Sequence, residues 1–143
     1  MEKITSEIFL QRYKNGCKDF QKIILEYADL SKTNFQQINL QGSQLSYVNL
    51  SGINLRDSTL LAAQFSFCNF KDSKIESCWL ESTRFSDCDF RGASITKANL
   101  TYSSFIRVNL QGARLEGFGE EFPLFFNVVR EDGKFISGYT YEP

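Results

Sequence analysis

Cys68, Cys78 and Cys88 stand at even intervals of ten, and their thiols raise metal binding and catalysis as the first chemistry to consider. The chain has four cysteines and no histidine. A metal site needs convergent ligands, usually with one pair at short spacing, and no such pair is present. Without histidine the usual general base is also missing. Gly42, Gly52, Gly92 and Gly112 do not form a phosphate-binding loop, because each stands alone at the same point of a wider pattern. Catalytic, cofactor and metal residues are therefore expected to be absent.

That wider pattern positions the cysteines. Every multiple of five from Leu30 to Leu115 is Leu, Phe or Ile, which makes eighteen successive centres. Phe20 and Leu25 extend the series upstream. Two residues before each centre stands a small or β-branched residue, never a charged one, and Cys68, Cys78 and Cys88 occupy this place. The residue between is often Asn, as at Asn49, Asn69 and Asn109. Cys17 lies outside the register.

No simple element repeats every five residues. In an α-helix five residues turn about 500°, so successive centres smear around the axis. In a flat strand an odd period sends them to alternating faces. A chain that bends once per five residues buries them all. Each pentapeptide is then one short side, four sides close a coil of 20 residues, and stacked coils share hydrogen bonds about 4.8 Å apart. On this reading the cysteines are small inward fillers. No Asp or Glu from Ala28 to Leu115 points inward, so no desolvated carboxylate is expected.

Units such as Ala28-Asp29-Leu30 and Ala98-Asn99-Leu100 resemble the A(D/N)LXX consensus of the pentapeptide-repeat proteins. The resemblance implies an all-β solenoid, a right-handed quadrilateral β-helix. Four to five coils are expected over residues 18–116, with caps at residues 1–17 and 117–143. Thr5 can N-cap a short helix over residues 5–15, with Ile4 and Phe9 as a hydrophobic staple and Gly16 as its stop. Leu124–Arg130 and Phe135–Tyr141 flank an Asp132-Gly133 turn, which predicts a C-terminal β-hairpin. It would pack on the last coil or join two subunits.

Charge and hydropathy narrow the function. The 17 acidic and 16 basic residues nearly balance, so a nucleic acid partner held by charge is not expected. Some proteins of the resembled family inhibit type II topoisomerases by imitating DNA. Between Ala28 and Glu116 there are eight acidic and nine basic residues, which speaks against a duplex-like field. No apolar run is long enough to span a membrane, and the N-terminal stretch has no secretory pattern. A cytoplasmic protein with reduced thiols is expected.

The period of 20 assigns every outward residue to a side. The side centred on Leu40, Leu60, Leu80 and Leu100 displays Leu61, Trp79 and Tyr102. The next side displays Tyr47, Phe67 and Ile106, and the other two are polar. These six residues are the candidate surface for an unidentified protein partner or for self-association. The alternatives are a chance cluster, or a surface under the aromatic C-terminal segment. The function expected is a non-enzymatic interaction or regulatory module; a DNA-mimicking gyrase inhibitor is the second reading.

Overall fold

The computed structural model describes residues 1–142. In chain order its elements are β1 (Glu2–Lys3), α1 (Ser6–Lys14), β2 (Ile23–Glu26), β3 (Gln44–Ser46), β4 (Gln64–Ser66), β5 (Arg84–Ser86), β6 (Ser94–Asn99), β7 (Ser104–Ile106), β8 (Arg114–Phe118), β9 (Leu124–Val129) and β10 (Phe135–Thr140). The strands are short because the chain turns a corner every five residues. Residues two after a centre take left-handed backbone, from Lys22 (φ 54) through Tyr47 (φ 54) and Phe67 (φ 53) to Arg107 (φ 51). That conformation disfavours side chains with a Cβ by roughly 1–2 kcal/mol each, so other interactions must hold it.

Two sets of bonds hold it. Backbone groups pair between coils, as where Leu30 N–H donates to the Asn49 carbonyl at 2.9 Å and Asn49 N–H donates to the Ala28 carbonyl at 2.9 Å. Within a side, the Asn or Asp before the centre accepts the N–H two residues on: Asn49 from Ser51 at 3.1 Å, Asn69 from Lys71 at 3.0 Å, Asn109 from Gln111 at 3.0 Å. This Asx bond is why Asn recurs at that place.

The core is the interior of the stack. Leu25, Leu45, Phe65, Phe85, Phe105 and Phe125 form one column of direct strand partners. That column has six levels, so the solenoid has about six turns rather than four to five. The extra level comes from β9. It pairs in parallel with β7, placing Phe125 under Phe105 with ring centroids 5.1 Å apart. Asn127, two residues on, again has left-handed φ (50°). The register thus resumes after its break. The break itself has a steric cause: a Cβ at Gly117 would collide with the Leu100 side chain, so only glycine lets β8 pass there.

Both ends are covered as expected, with one addition. Thr5 caps α1, its Oγ1 accepting from Ile8 N–H at 3.2 Å, and Phe9 stacks on Phe20 at 4.1 Å. The addition is β1, which pairs in parallel with β2 at the N-terminal edge. A bidentate contact from Arg12 to Glu2 at 2.8 Å ties β1 to the helix. At the other end β10 folds back antiparallel on β9, with an irregularity between Ile136 and Tyr139. Among the described residues no helix is long and apolar enough to cross a membrane.

Candidate interaction surface

The left-handed bend turns the corner side chains outward. Down one corner run Tyr27, Tyr47 and Phe67, each twenty residues from the next. Their rings stack in a ladder, with centroids 5.0 and 4.9 Å apart and planes within 10° and 3°. The spacing follows the coil spacing, so the backbone sets it. The rings stay in water: Tyr27 is 76% exposed, Tyr47 48% and Phe67 51%.

The same corner continues with Asp87 and Arg107. Arg107 donates to both carboxylate oxygens of Asp87, at 2.7 and 2.9 Å. This contact holds the Asp87 carboxyl below its ordinary range. Tyr47, Phe67, Asp87 and Arg107 wall an open hollow of about 850 Å³, which Phe135 also lines. The corner is therefore aromatic in its N-terminal half and a neutralised ion pair in its C-terminal half.

Trp79 and Tyr102 lie elsewhere. Trp79 is 53% exposed and borders a hollow of about 610 Å³ with Glu81, Asn99, Thr101, Gly119 and Glu120. Tyr102 is 67% exposed and borders another, of about 380 Å³, with Glu121, Phe122, Leu124 and Tyr141. The C-terminal segment thus flanks both rings and leaves them open to solvent. Leu61 and Ile106 are only half-buried, and Ile106 lies within the strand ladder between Ser86 and Phe126. Of the six residues, the structure stacks Tyr47 on Phe67 and sets Trp79 and Tyr102 beside the C-terminal segment.

Tyr27 adds a third ring to the two that the candidate surface contains. Its signal is arithmetic: it stands twenty residues, one coil, before Tyr47. Phe122, also exposed, carries the same signal, twenty residues after Tyr102, whereas Tyr141, after the return strand β10, has none.

The cysteines sit where the register puts them. Cys68, Cys78 and Cys88 are buried free thiols. Each points its sulfur at the carbonyl of the coil before, Cys78 to Leu55 at 2.9 Å and Cys88 to Phe65 at 3.5 Å. Burial pushes the Cys78 thiol up to about 12 and drives Cys88 well above its ordinary value. The raised thiols of Cys78 and Cys88 are poor nucleophiles and poor metal ligands, since the thiolate is the reactive form, whereas the hydrogen bond from Cys88 holds Cys68 below its ordinary value. Among the described residues no three His, Cys, Asp or Glu side chains converge as a metal site would need.

Comparison with known proteins agrees with the geometry. The family model for pentapeptide repeats matches residues 23–60, 38–76, 49–87 and 83–118. No curated protein sequence matches the chain. A pentapeptide repeat protein from the Arabidopsis thaliana thylakoid lumen is similar in structure, with a TM-score of 0.61 and 18% identity over 71% of this chain and 73% of that one. QnrB1, a plasmid-mediated fluoroquinolone resistance protein, is similar with a TM-score of 0.55 and 17% identity over 80% of this chain. The match spans 63% of the QnrB1 chain. At these identities the likeness is one of fold. With overlapping repeat matches from residue 23 to residue 118 and a five-residue bend at every corner, the chain belongs to the pentapeptide-repeat family.

Proposed function

We propose that this protein is a non-enzymatic interaction module whose solenoid presents aromatic side chains to a partner protein. The observation that carries this reading is the exposed ladder of Tyr27, Tyr47 and Phe67. Single exposed apolar residues are ordinary on a protein surface. Three parallel rings on a rigid backbone are different, because a partner gains their area without having to order them. The rest of the corner is already neutralised by the Asp87–Arg107 pair, so the ladder is what this corner offers for contact.

A DNA-mimicking topoisomerase inhibitor is the second reading. It gains nothing from the coil charges, which nearly cancel, and a gyrase supercoiling assay separates it from the first.

The test is comparative capture. Wild-type protein and a Tyr47→Ala/Phe67→Ala variant are immobilised, incubated with extract, and the bound proteins quantified. A protein retained by the wild type and lost from the variant, at matched melting temperature, is the expected result. Identical retention by both would remove the ladder from the account.

A further inference from the structure

The C-terminal end of the solenoid carries a second surface, different in chemistry from the ladder. Trp79, Tyr102, Phe122 and Tyr141 are all exposed there. Four hollows of about 610, 380, 310 and 240 Å³ lie among them. They share walls: the 610 and 240 Å³ hollows share Gly119, and the 380 and 240 Å³ ones share Glu121, Phe122 and Tyr141.

Every charged residue lining these hollows is acidic: Glu81, Glu120, Glu121 and Glu142. Elsewhere on the solenoid, acids meet bases, as in Arg56 with Glu76, Arg91 with Asp89 and Arg107 with Asp87. Among the described residues none of these four glutamates takes part in an ion pair. Beside Trp79 the Glu81 carboxylate and the Glu120 main chain are each held by a hydrogen bond. Asn99 Nδ2 donates to Glu81 Oε1 at 2.8 Å, and the Glu120 N–H donates to Thr101 Oγ1 at 3.2 Å. The 240 Å³ hollow reaches the core, where Leu100, Leu115 and Phe125 line it.

We propose that this end is the docking site for a basic segment of a partner protein, one that carries arginine or lysine next to apolar side chains. The inference rests on the interaction-module reading and names the chemistry of the partner. A guanidinium stacks on an indole or phenol face, and its N–H groups bond the neighbouring carboxylates. The adjoining apolar side chain enters the hollow over Leu100 and Leu115. The same four carboxylates repel phosphate, which disfavours nucleic acid and anionic lipid at this end.

Trp79 is the only tryptophan, so its fluorescence reports on this surface directly. The probe is a blocked peptide of alternating arginine and leucine, with an alternating glutamate and leucine peptide as control. The arginine peptide is expected to change Trp79 emission saturably, more weakly as salt is raised, and the glutamate peptide not at all. Glu81→Gln combined with Glu120→Gln is expected to weaken binding about fivefold, the effect of two part-exposed charge pairs. The Tyr47→Ala/Phe67→Ala variant is expected to bind the peptide as the wild type does. The proposal is overturned by absence of saturation, by equal response to both peptides, or by a glutamine variant that binds as tightly as wild type. If the arginine peptide fails while capture from extract still depends on Tyr47 and Phe67, this docking site falls and the interaction-module reading stands.

Discussion

Two serines at equivalent places in the register should respond oppositely to alanine. Ser43 and Ser73 both stand two residues before a core centre, and both are buried. Ser43 Oγ donates to the Phe20 carbonyl at 2.8 Å and accepts from the Ile23 N–H at 3.2 Å. Ser58 makes the equivalent pair of contacts with Phe35 and Ile38. Ser73 is the one buried side-chain oxygen without a partner among the described residues. The reason is local. Ile53, one coil before, turns its N–H to the Leu50 carbonyl at 3.3 Å, so Ser73 does not receive the N–H that Ser43 accepts from Ile23. Ser43→Ala leaves a buried N–H and a carbonyl without partners, at a cost of about 1–3 kcal/mol. Ser73→Ala removes an unsatisfied hydroxyl, and is expected to be neutral or to stabilise by up to about 1 kcal/mol. The gap is then about 1–4 kcal/mol, and with a slope near 2 kcal/mol per molar a gap of 2 separates the urea midpoints by about 1 M. Equal losses from both variants, or a larger loss at Ser73, would refute the idea that these hydroxyls staple one coil to the next.

Three further outcomes follow from the same core. Phe85 is fully buried between Phe65 and Phe105, at 5.2 and 5.0 Å, and touches Phe70 and Phe90 edge-on. Phe85→Ala is expected to cost about 3–5 kcal/mol in urea unfolding, whereas Tyr47→Ala, which loses only an exposed stack, costs about 1 or less. A thiol reagent should label Cys17, which is part-exposed, in the native protein well before Cys68, Cys78 and Cys88, and fast labelling of all four would contradict the burial. The Cys78 thiol is raised to about 12 in the fold, against roughly 8.5 when unfolded. Above the lower value the unfolded chain has released a proton that the native chain keeps, so stability falls as pH rises toward 12 and this group has no effect below about 8. Thermal melts across that range should show a shallower alkaline decline for Cys78→Ala than for the wild type.

Much of the solenoid was legible because one side of a coil equals one repeat. A buried centre every five residues has a single geometric solution, and from it the inward cysteines, the outward aromatics and the absence of inward carboxylates all follow. The sixth coil was hidden. Glu120 stands where a core centre belongs and Gly117 and Gly119 interrupt the pattern, although Phe125 and Val128 return to it and are buried. The strand β1 was hidden for another reason: Glu2 and Lys3 are both exposed, and the strand is held by backbone pairing and by the ion pairs of Lys3 with Glu26 and Glu2 with Arg12, which leave no apolar pattern in the sequence. The candidate surface was half legible. Periodicity finds Tyr47 over Phe67, and would have found Tyr27. It also gives Phe122, twenty residues after Tyr102, and Glu81, one residue after the centre Leu80, but it cannot find Tyr141, which follows the antiparallel return of β10.

The most direct measurement of the central claim is side-chain footprinting by hydroxyl radicals, in buffer and again in the presence of a captured partner. The account predicts that Tyr27, Tyr47 and Phe67 react readily in buffer, as their exposure requires, and lose reactivity when the partner is bound, while the core phenylalanines stay unreactive in both. Unchanged reactivity of all three ladder rings in the complex, with protection only on the two polar sides, would contradict it.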